Sequence, residues 1–285
     1  MPVEITYRYT PRPKSAWTKP GEPHEAIQRL NKGNEAFAEL VARAGQSDST
    51  ASSALEIDAR ALGLDVDGRR SAPQAPFAAV LGCADARVPI ELVFKQGPNE
   101  LFVVRVAGNS LGTDVLGSFH YAVGHLQDSL RVLVVLGHSG CGALTATVDT
   151  FLDPGGYLSI ATNEPLRSII DRHLISVQAS ARALARAHGS NVVERPSYRE
   201  ALIEASIATN AALAAYTLQA EFHNKAPRQL KAVYGVFLLD SHTVWTPSQE
   251  AAGSSGLCEP PQKLSEFRAF GDLLARSDRI AGLLK

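Results

Sequence analysis

The chain has 285 residues, of which 45% are hydrophobic and 20% are charged, the proportions of an ordinary globular protein with a substantial core. Its formal net charge of −1 gives no electrostatic reason to expect nucleic acid or an anionic membrane surface as a partner. The first residues lack the apolar region of a secretory signal, and no stretch approaches the roughly 18–20 unbroken apolar residues of a membrane span.

The predicted elements alternate between helices and short apolar strands. In chain order they are an extended N-terminal arm (1–22), an amphipathic helix (23–44), a long loop (45–74) with a helical turn near 54–62, a strand (77–82), a short helix (88–96), a strand (100–108), a helix (114–127), a strand (130–137), two long helices (164–188 and 197–223), a strand (231–240), an edge strand (242–245), a Gly/Ser/Pro-rich segment (246–262) and a closing helix (264–284).

Strands that are apolar on both faces and separated by helices are typical of a parallel sheet that is covered on both sides. We therefore predict an α/β fold with a central, mostly parallel sheet flanked by helices and preceded by an N-terminal helical arm. The sheet should contain about four parallel strands plus an antiparallel edge strand.

Two of the predicted strands end in residues that bind metals. "FAAVLGC" ends at Cys83, and "VLVVLGHSGC" ends at His138 and Cys141. Because functional sites in open parallel sheets form at the carboxyl ends of the strands, these side chains are expected to meet. Two thiolates and an imidazole suit zinc, and three protein ligands leave the fourth position to water, as in catalytic zinc sites.

A charged pair, Asp85 and Arg87, follows Cys83 directly. A carboxylate beside a guanidinium stays ionised and is held in one orientation by paired hydrogen bonds. Next to a zinc-bound water, such a carboxylate would accept the proton of that water in a hydrogen bond. Zinc lowers the pKa of the water from about 15.7 to roughly 7, so hydroxide would be available near neutral pH.

Each feature also has an ordinary explanation. A buried cysteine packs as a small hydrophobic residue, a Gly-rich turn can open an anion-binding helix, and a surface Asp–Arg pair carries little energy. The residues by themselves leave open a zinc hydrolase or lyase and a structural zinc protein. A nucleotide-binding protein is disfavoured, because the chain lacks both the GxGxxG fingerprint and a P-loop.

The two motifs resemble those of the beta-class carbonic anhydrases, which carry Cys-x-Asp-x-Arg and, some fifty residues later, His-x-x-Cys. Here they read "CADAR" (83–87) and "HSGC" (138–141). The resemblance extends over roughly 23–250, in the expected order, through the segments "LNKGNEAF", "LFVVRVAGN", "HYAVGHL" and "VYGVFLLDSHTVW". It implies one Zn²⁺ per subunit bound by Cys83, His138 and Cys141.

The same resemblance assigns roles to the charged pair. Asp85 would orient the zinc-bound hydroxide, and Arg87 would hold Asp85. Family members in which this aspartate binds zinc instead carry a Trp three residues before the first cysteine, where this chain has Val80. We therefore expect the open, water-bound form near neutral pH.

Further positions match substrate-binding residues of the family. "QAP" matches the plant-type branch and makes Gln74 a candidate hydrogen-bond donor to substrate. Phe102 and Tyr121 match aromatic positions of its apolar pocket, and Gly142 matches a position whose backbone approaches the substrate. Because the family draws some of these residues from a neighbouring subunit, a homodimer or higher even homo-oligomer is implied. Packing explains the two aromatic residues equally well, and Gln74 could simply cap a loop.

The predicted organisation is an extended arm (1–22), a catalytic domain (23–250), and a C-terminal loop and helix (251–285) packed on the domain or on a partner subunit. The predicted function is reversible hydration of CO2 to bicarbonate and a proton by zinc-bound hydroxide. The alternatives are a CS2 or COS hydrolase of the same fold and a zinc-stabilised regulatory or binding module without catalysis.

The remaining thiol and the other histidines are assigned no role. Low and odd cysteine usage, three in all, favours a reducing compartment, so we expect a cytoplasmic protein with free thiols. Cys258 has no assigned role, and four histidines are interpreted as residues at the edge of the core or in solvent, without a ligand role: His120, His125, His173 and His188.

Overall fold

The structure is a computed structural model of the chain, and it describes residues 3–10, 19–44, 51–59, 73–223, 229–248 and 253–285. Within these residues the strands are β1 (Val3–Thr10), β2 (Ala51–Asp58), β3 (Ala78–Gly82), β4 (Leu101–Arg105), β5 (Val132–His138), β6 (Lys231–Phe237), β7 (Val244–Thr246) and β8 (Ser254–Ser255). The helices are α1 (Pro23–Ala44), α2 (Ile90–Val93), α3 (Thr113–His125), α4 (Gly142–Leu152), α5 (Glu164–His188), α6 (Tyr198–Phe222), α7 (Phe267–Arg276) and α8 (Asp278–Leu283).

The central sheet has the strand order β4-β3-β5-β6-β7-β8. The first four of these strands run parallel, and β7 and β8 add two antiparallel strands at the far edge. The predicted α/β fold with a mostly parallel sheet is therefore confirmed. The one difference is β8, a two-residue strand within the predicted Gly/Ser/Pro-rich segment, which sequence periodicity cannot reveal at that length.

Helices cover both faces of this sheet, and the alternation within β5 shows why. Val132, Val134 and Leu136 face α1 and α2 on one side, whereas Leu133 and Val135 face α3, α4, α5 and α6 on the other. All seven residues of β5 are buried. Because both faces of the strand are buried, its sequence is a continuous apolar run, and each buried aliphatic side chain contributes about 1.5–3 kcal/mol.

The predicted long loop over 45–74 is wrong for residues 51–58, which form β2. This strand pairs in parallel with β1 in a separate two-stranded sheet. The second half of its sequence, "ASSALEID", alternates, because Leu55 and Ile57 are buried while Glu56 between them is polar. The abundance of small polar residues obscured that alternation, and the predicted helical turn is absent from 54–58. The rest of the predicted loop that precedes 73, apart from Ala59, lies outside the described residues.

Two of the predicted helices are shorter in the structure, each for a local reason. The helix predicted over 88–96 is only α2, because the backbone of Lys95 turns into the left-handed region at φ 48°. The helix predicted over 264–284 is broken at Ser277, whose extended backbone separates α7 from α8. The Ser277 hydroxyl donates to the carbonyl of Leu274 at 2.7 Å and so closes the end of α7.

The helix α4, which begins directly after Cys141, was not predicted as a separate element. The C-terminal helices pack on the same chain, α7 against α5 and α8 against α6. By length and composition α6 could cross a membrane, but 78% of its most apolar window is buried inside the fold, the environment of a core helix.

Candidate functional site

The two sequence motifs meet at the carboxyl ends of β3 and β5. Cys83 follows β3, His138 ends β5, and Cys141 caps α4. All three are buried, and their ligand atoms lie within 4.8 Å of one another. The two sulfur atoms are 4.0 Å apart. Gly140 makes the tight turn between His138 and Cys141 possible, because its φ of +64° lies in the left-handed region.

His138 presents one ring nitrogen to this cluster. Its side chain is fully buried, and Nδ1 lies 3.1 Å from the carbonyl oxygen of Ser139, which can only accept a hydrogen bond. Nδ1 therefore carries the proton, and Nε2 is left with a free lone pair. Nε2 has no hydrogen-bond partner and lies 3.8 Å from Oδ2 of Asp85.

The two thiols share a hydrogen bond that makes them unequal. The bond from Cys141, together with the amides of Asp85 and Gly108, lowers the pKa of Cys83 against the opposing effect of burial. The same bond to Cys83, and burial, raise the pKa of Cys141. Cys83 therefore loses its proton more readily than Cys141, and a thiophilic cation that binds both sulfur atoms would displace the proton of each thiol.

Asp85 and Arg87 form the paired contact that their spacing suggests. Arg87 donates from Nη2 to Oδ2 of Asp85 at 2.7 Å and from Nε to Oδ1 at 3.0 Å, and its amide donates to Oδ1 at 2.9 Å. These hydrogen bonds hold the pKa of the Asp85 carboxyl well below its usual range. The carboxylate is therefore ionised and points at the cluster through Oδ2.

Arg105, at the end of β4, fixes the backbone of this segment. Its guanidinium donates to the carbonyl of Cys83 at 3.0 Å and to the carbonyl of Asp85 at 2.5 Å. Sequence reasoning assigned Arg105 no role, although it lies within the quoted segment "LFVVRVAGN". The available signal for such a role was an arginine at the end of an otherwise apolar strand.

A second group that sequence reasoning missed, formed by Gly108, Asn210 and His173, contacts Cys83 through hydrogen bonds. The amide of Gly108 donates to the Cys83 sulfur at 3.3 Å, and its carbonyl accepts from Nδ2 of Asn210 at 3.1 Å. Oδ1 of Asn210 lies 3.1 Å from Nδ1 of His173, which is 1% exposed. Burial lowers the pKa of His173, so this histidine is neutral. Its interpretation as a residue at the edge of the core or in solvent is therefore corrected.

The candidate substrate residues do not all gather at the cluster within one protomer. Gly142 opens α4 beside Cys141. Gln74 is exposed and precedes β3, whereas Cys83 follows it, so the five residues of that strand alone separate them by roughly 16 Å. Phe102 lies on the edge strand β4 with its ring 6.3 Å from that of Tyr121, which is 48% exposed on α3.

The donor set fits a tetrahedral zinc ion. Zinc–sulfur bonds of about 2.3 Å at the tetrahedral angle place two sulfur atoms about 3.8 Å apart, close to the 4.0 Å between Cys83 and Cys141. The unpartnered Nε2 of His138 supplies a third donor of the type that zinc accepts. The chain thus offers two sulfur ligands and one nitrogen ligand at spacings that one cation can bridge.

Comparison with known proteins agrees with this site. The family model described as carbonic anhydrase matches residues 78–236. Carbonic anhydrase 2 of Mycobacterium tuberculosis is 41% identical over 139 residues, which cover 48% of this chain and 59% of that protein. The carbonic anhydrase of Mycolicibacterium smegmatis is 48% identical over 92 residues, which cover 32% of this chain and 43% of that protein.

The chain thus spans about three fifths or less of the length of these relatives. The solved structure of the beta-carbonic anhydrase CcaA is 22% identical, with a TM-score of 0.47 over 65% of this chain and 85% of that one. Because the family match covers more than half of the chain and contains both metal-binding motifs, the chain belongs to the carbonic anhydrase family, in its beta class.

Proposed function

We propose that this chain catalyses the reversible hydration of CO2 to bicarbonate and a proton at a zinc ion held by Cys83, His138 and Cys141. One observation carries the proposal: three buried ligand atoms within 4.8 Å of one another, with the Asp85 carboxylate 3.8 Å from one of them. Zinc bound there supplies a Lewis acid that makes water acidic enough to ionise near neutral pH. Family membership supports the same reaction.

Asp85 selects and orients the reacting group. An ionised carboxylate can only accept hydrogen bonds, so Oδ2 would bind an O–H group beside the three ligands and direct the oxygen lone pairs of that group elsewhere. Arg87 lowers the pKa of the Asp85 carboxyl and fixes its rotamer through two side-chain hydrogen bonds. The chain thereby supplies an oriented acceptor, which is the condition for a hydroxyl lone pair to face an electrophile.

The surroundings of the sulfur atoms suit an uncharged substrate. Cys83 and Cys141 belong to the apolar core on the α3 side of the sheet. An apolar environment imposes no desolvation cost on CO2, whereas the bicarbonate product is an anion that water solvates far better. This difference favours entry of the substrate and departure of the product.

Metal content and CO2 hydration, measured on one purified sample, test the proposal. We expect one zinc per chain and hydration activity that Cys141→Ser abolishes together with the metal. Asp85→Asn should keep the zinc and lose roughly a hundredfold in rate, because an amide can donate as well as accept. A zinc-loaded protein without hydration activity would contradict the proposal, and a parallel CS2 assay would then show whether the same site hydrolyses that substrate.

We also propose that the chain works as a homodimer, or a higher even oligomer, of the plant-type branch. The support is that Gln74 lies at the opposite end of β3 from Cys83, and that Phe102 and Tyr121 lie together at the edge strand β4. A neighbouring protomer docked on that side would bring these residues to a metal site that is not their own. The free state of all three cysteines supports a reducing compartment such as the cytoplasm.

Mixed oligomers test this assembly. In a two-fold dimer, a Cys141→Ser protomer paired with a Gln74→Ala protomer would contain one intact composite site. Co-expression of the two variants should therefore restore about a quarter of the wild-type activity, although each variant alone is impaired. Activity no greater than the average of the two variants, or a monomer in sedimentation analysis, would argue against a shared site.

A further inference from the structure

The C-terminal helix α8 is connected to the turn that carries two of the metal ligands. Arg279 of α8 donates from Nη2 to Oε2 of Glu204 at 2.7 Å. Oε1 of the same carboxylate accepts the amide hydrogen of Gly140 at 2.8 Å. Gly140 lies between His138 and Cys141, so two consecutive hydrogen bonds join this turn to a residue outside the region 78–236 that the family model matches.

The exposed side of the turn between His138 and Cys141 is held by a hydrogen bond to Glu204. On its inner side, Ser139 is fixed to the sheet, since its amide donates to Phe237 at 3.0 Å and its hydroxyl accepts from the amide of Leu239 at 2.9 Å. Gly140 is exposed, and no atom of its surroundings lies within 4 Å of the position of a Cβ. Packing therefore does not hold Gly140, and the hydrogen bond to Glu204 does.

Arg279 in turn fixes Glu204. The Glu204 side chain is only 14% exposed, and Arg279 is 21% exposed, so the pair is largely shielded from water and from salt. A shielded carboxylate needs a partner for each oxygen, and Arg279 provides the second one. The helix α8 itself is held in place, because Ile280 is fully buried and the carbonyl of Leu284 accepts from Arg195 at 2.8 Å.

We infer that the C-terminal segment is part of the metal site: Arg279 is a positioning residue that acts through Glu204 on the turn between His138 and Cys141. The inference rests on the proposed metal site, and it assigns a role to a region beyond the two metal motifs. Groups that orient metal ligands from outside the coordination sphere typically change metal affinity ten- to a hundredfold when they are removed. Arg279 acts one residue further away, so we expect the lower end of that range.

The test compares Arg279→Gln with Arg186→Gln. Arg186 also ties the C-terminal segment to the body of the protein, through Asp272 of α7 at 2.7 Å, but it is not connected to the turn. Zn²⁺ affinity is measured by chelator competition, and the sulfur-to-metal charge-transfer band is recorded with Co²⁺. R279Q should weaken Zn²⁺ binding roughly tenfold and alter the Co²⁺ band, whereas R186Q should stay within about twofold of the wild type.

Glu204→Gln provides an independent test, because the amide keeps an acceptor for Gly140 but loses the ion pair. It should weaken Zn²⁺ binding as much as R279Q does, and the double variant should add little, since both changes break one connection. Wild-type Zn²⁺ affinity in R279Q would overturn the inference, and in E204Q it would do so equally if R279Q did not fold. Because metal affinity is measured without CO2, a wild-type protein that binds zinc without catalysis refutes the proposed reaction alone.

Discussion

At the scale of single residues, the site is defined by charge and by hydrogen-bonding capacity. Asp85 is an ionised acceptor that Arg87 holds in one orientation, and His138 presents Nε2 because its Nδ1–H donates a hydrogen bond to the Ser139 carbonyl. The five residues of the two motifs came directly from the sequence. Each of them has a side-chain chemistry that few other residue types can supply, so the motifs alone identified them as candidate site residues.

The pH dependence of an Arg87→Gln variant shows whether Arg87 orients the Asp85 carboxylate or only keeps it ionised. Arg87 lowers the pKa of Asp85, so its removal lets that pKa rise toward the ordinary value of about 3.9, still below the neutral range. Asp85 thus remains ionised in both proteins above about pH 5. We expect R87Q to hydrate CO2 roughly ten- to hundredfold more slowly, by the same factor at every pH from about 6.5 to 9.

Stopped-flow hydration rates over this range provide the measurement. A loss that disappears as the pH rises would show that Arg87 serves mainly to ionise Asp85, which would contradict the role in orientation. Zinc content measured on the same samples separates a rate effect from loss of metal.

At the scale of elements, short turns at the ends of strands decide how the ligands are held. The turn Ala107–Asn109 follows β4 and brings the Gly108 amide to Cys83, while Asn210 of α6 and His173 of α5 hold it from the other side. The φ of Gly108 is +65°, and a Cβ there would lie 2.5 Å from Nε2 of His173. Glycine is therefore required by both the backbone and the packing.

Gly108→Ala should destabilise the protein by about 1–3 kcal/mol, since alanine is strained at this φ and clashes with a buried ring. The measurement is urea unfolding of the metal-free protein. Gly117→Ala is the matched control: Gly117 is exposed in α3 with open space around it, so alanine there should be neutral or stabilise by up to about 1 kcal/mol. Equal stabilities for the two variants would exclude a special role for the turn at Gly108.

At the scale of the whole molecule, the proposed metal site connects parts of the chain that are far apart in sequence. Its ligands come from β3 and β5, and the groups that support them come from β4, α5, α6 and α8. A cation that binds only the folded arrangement stabilises it by mass action, by about 4 kcal/mol when its concentration is a thousand times its Kd.

Zinc removal should therefore lower the melting temperature substantially. Calorimetry of zinc-loaded and chelator-treated wild type measures the difference, which Cys141→Ser should abolish. Cys258→Ser is the control, because Cys258 follows β8, its backbone pairs with Tyr234 of β6, and it is not one of the proposed ligands. This variant should keep the full zinc-dependent increase in melting temperature. A similar loss of the increment in both variants would show that the zinc effect does not arise at the proposed ligands.

The sequence by itself determined most of the strands and helices, the mostly parallel sheet and the candidate ligands at its carboxyl edge. These features follow from local patterns: apolar runs set the strands, and strand ends in a parallel sheet meet at one edge. It misassigned β2, because small polar residues obscured the alternation of Leu55 and Ile57.

Only the tertiary structure decided which groups support the ligands. Asn210, Glu204 and Arg279 are polar residues on helices, and their local sequence does not indicate which groups they bind. Asn210 donates to the carbonyl of Gly108, and Glu204 accepts from the amide of Gly140. Both glycines are far from these residues along the chain, and backbone groups carry no sequence signal. The packing of α5, α6 and α8 against the sheet brings these groups within hydrogen-bond distance, and that packing depends on the whole core rather than on any one motif.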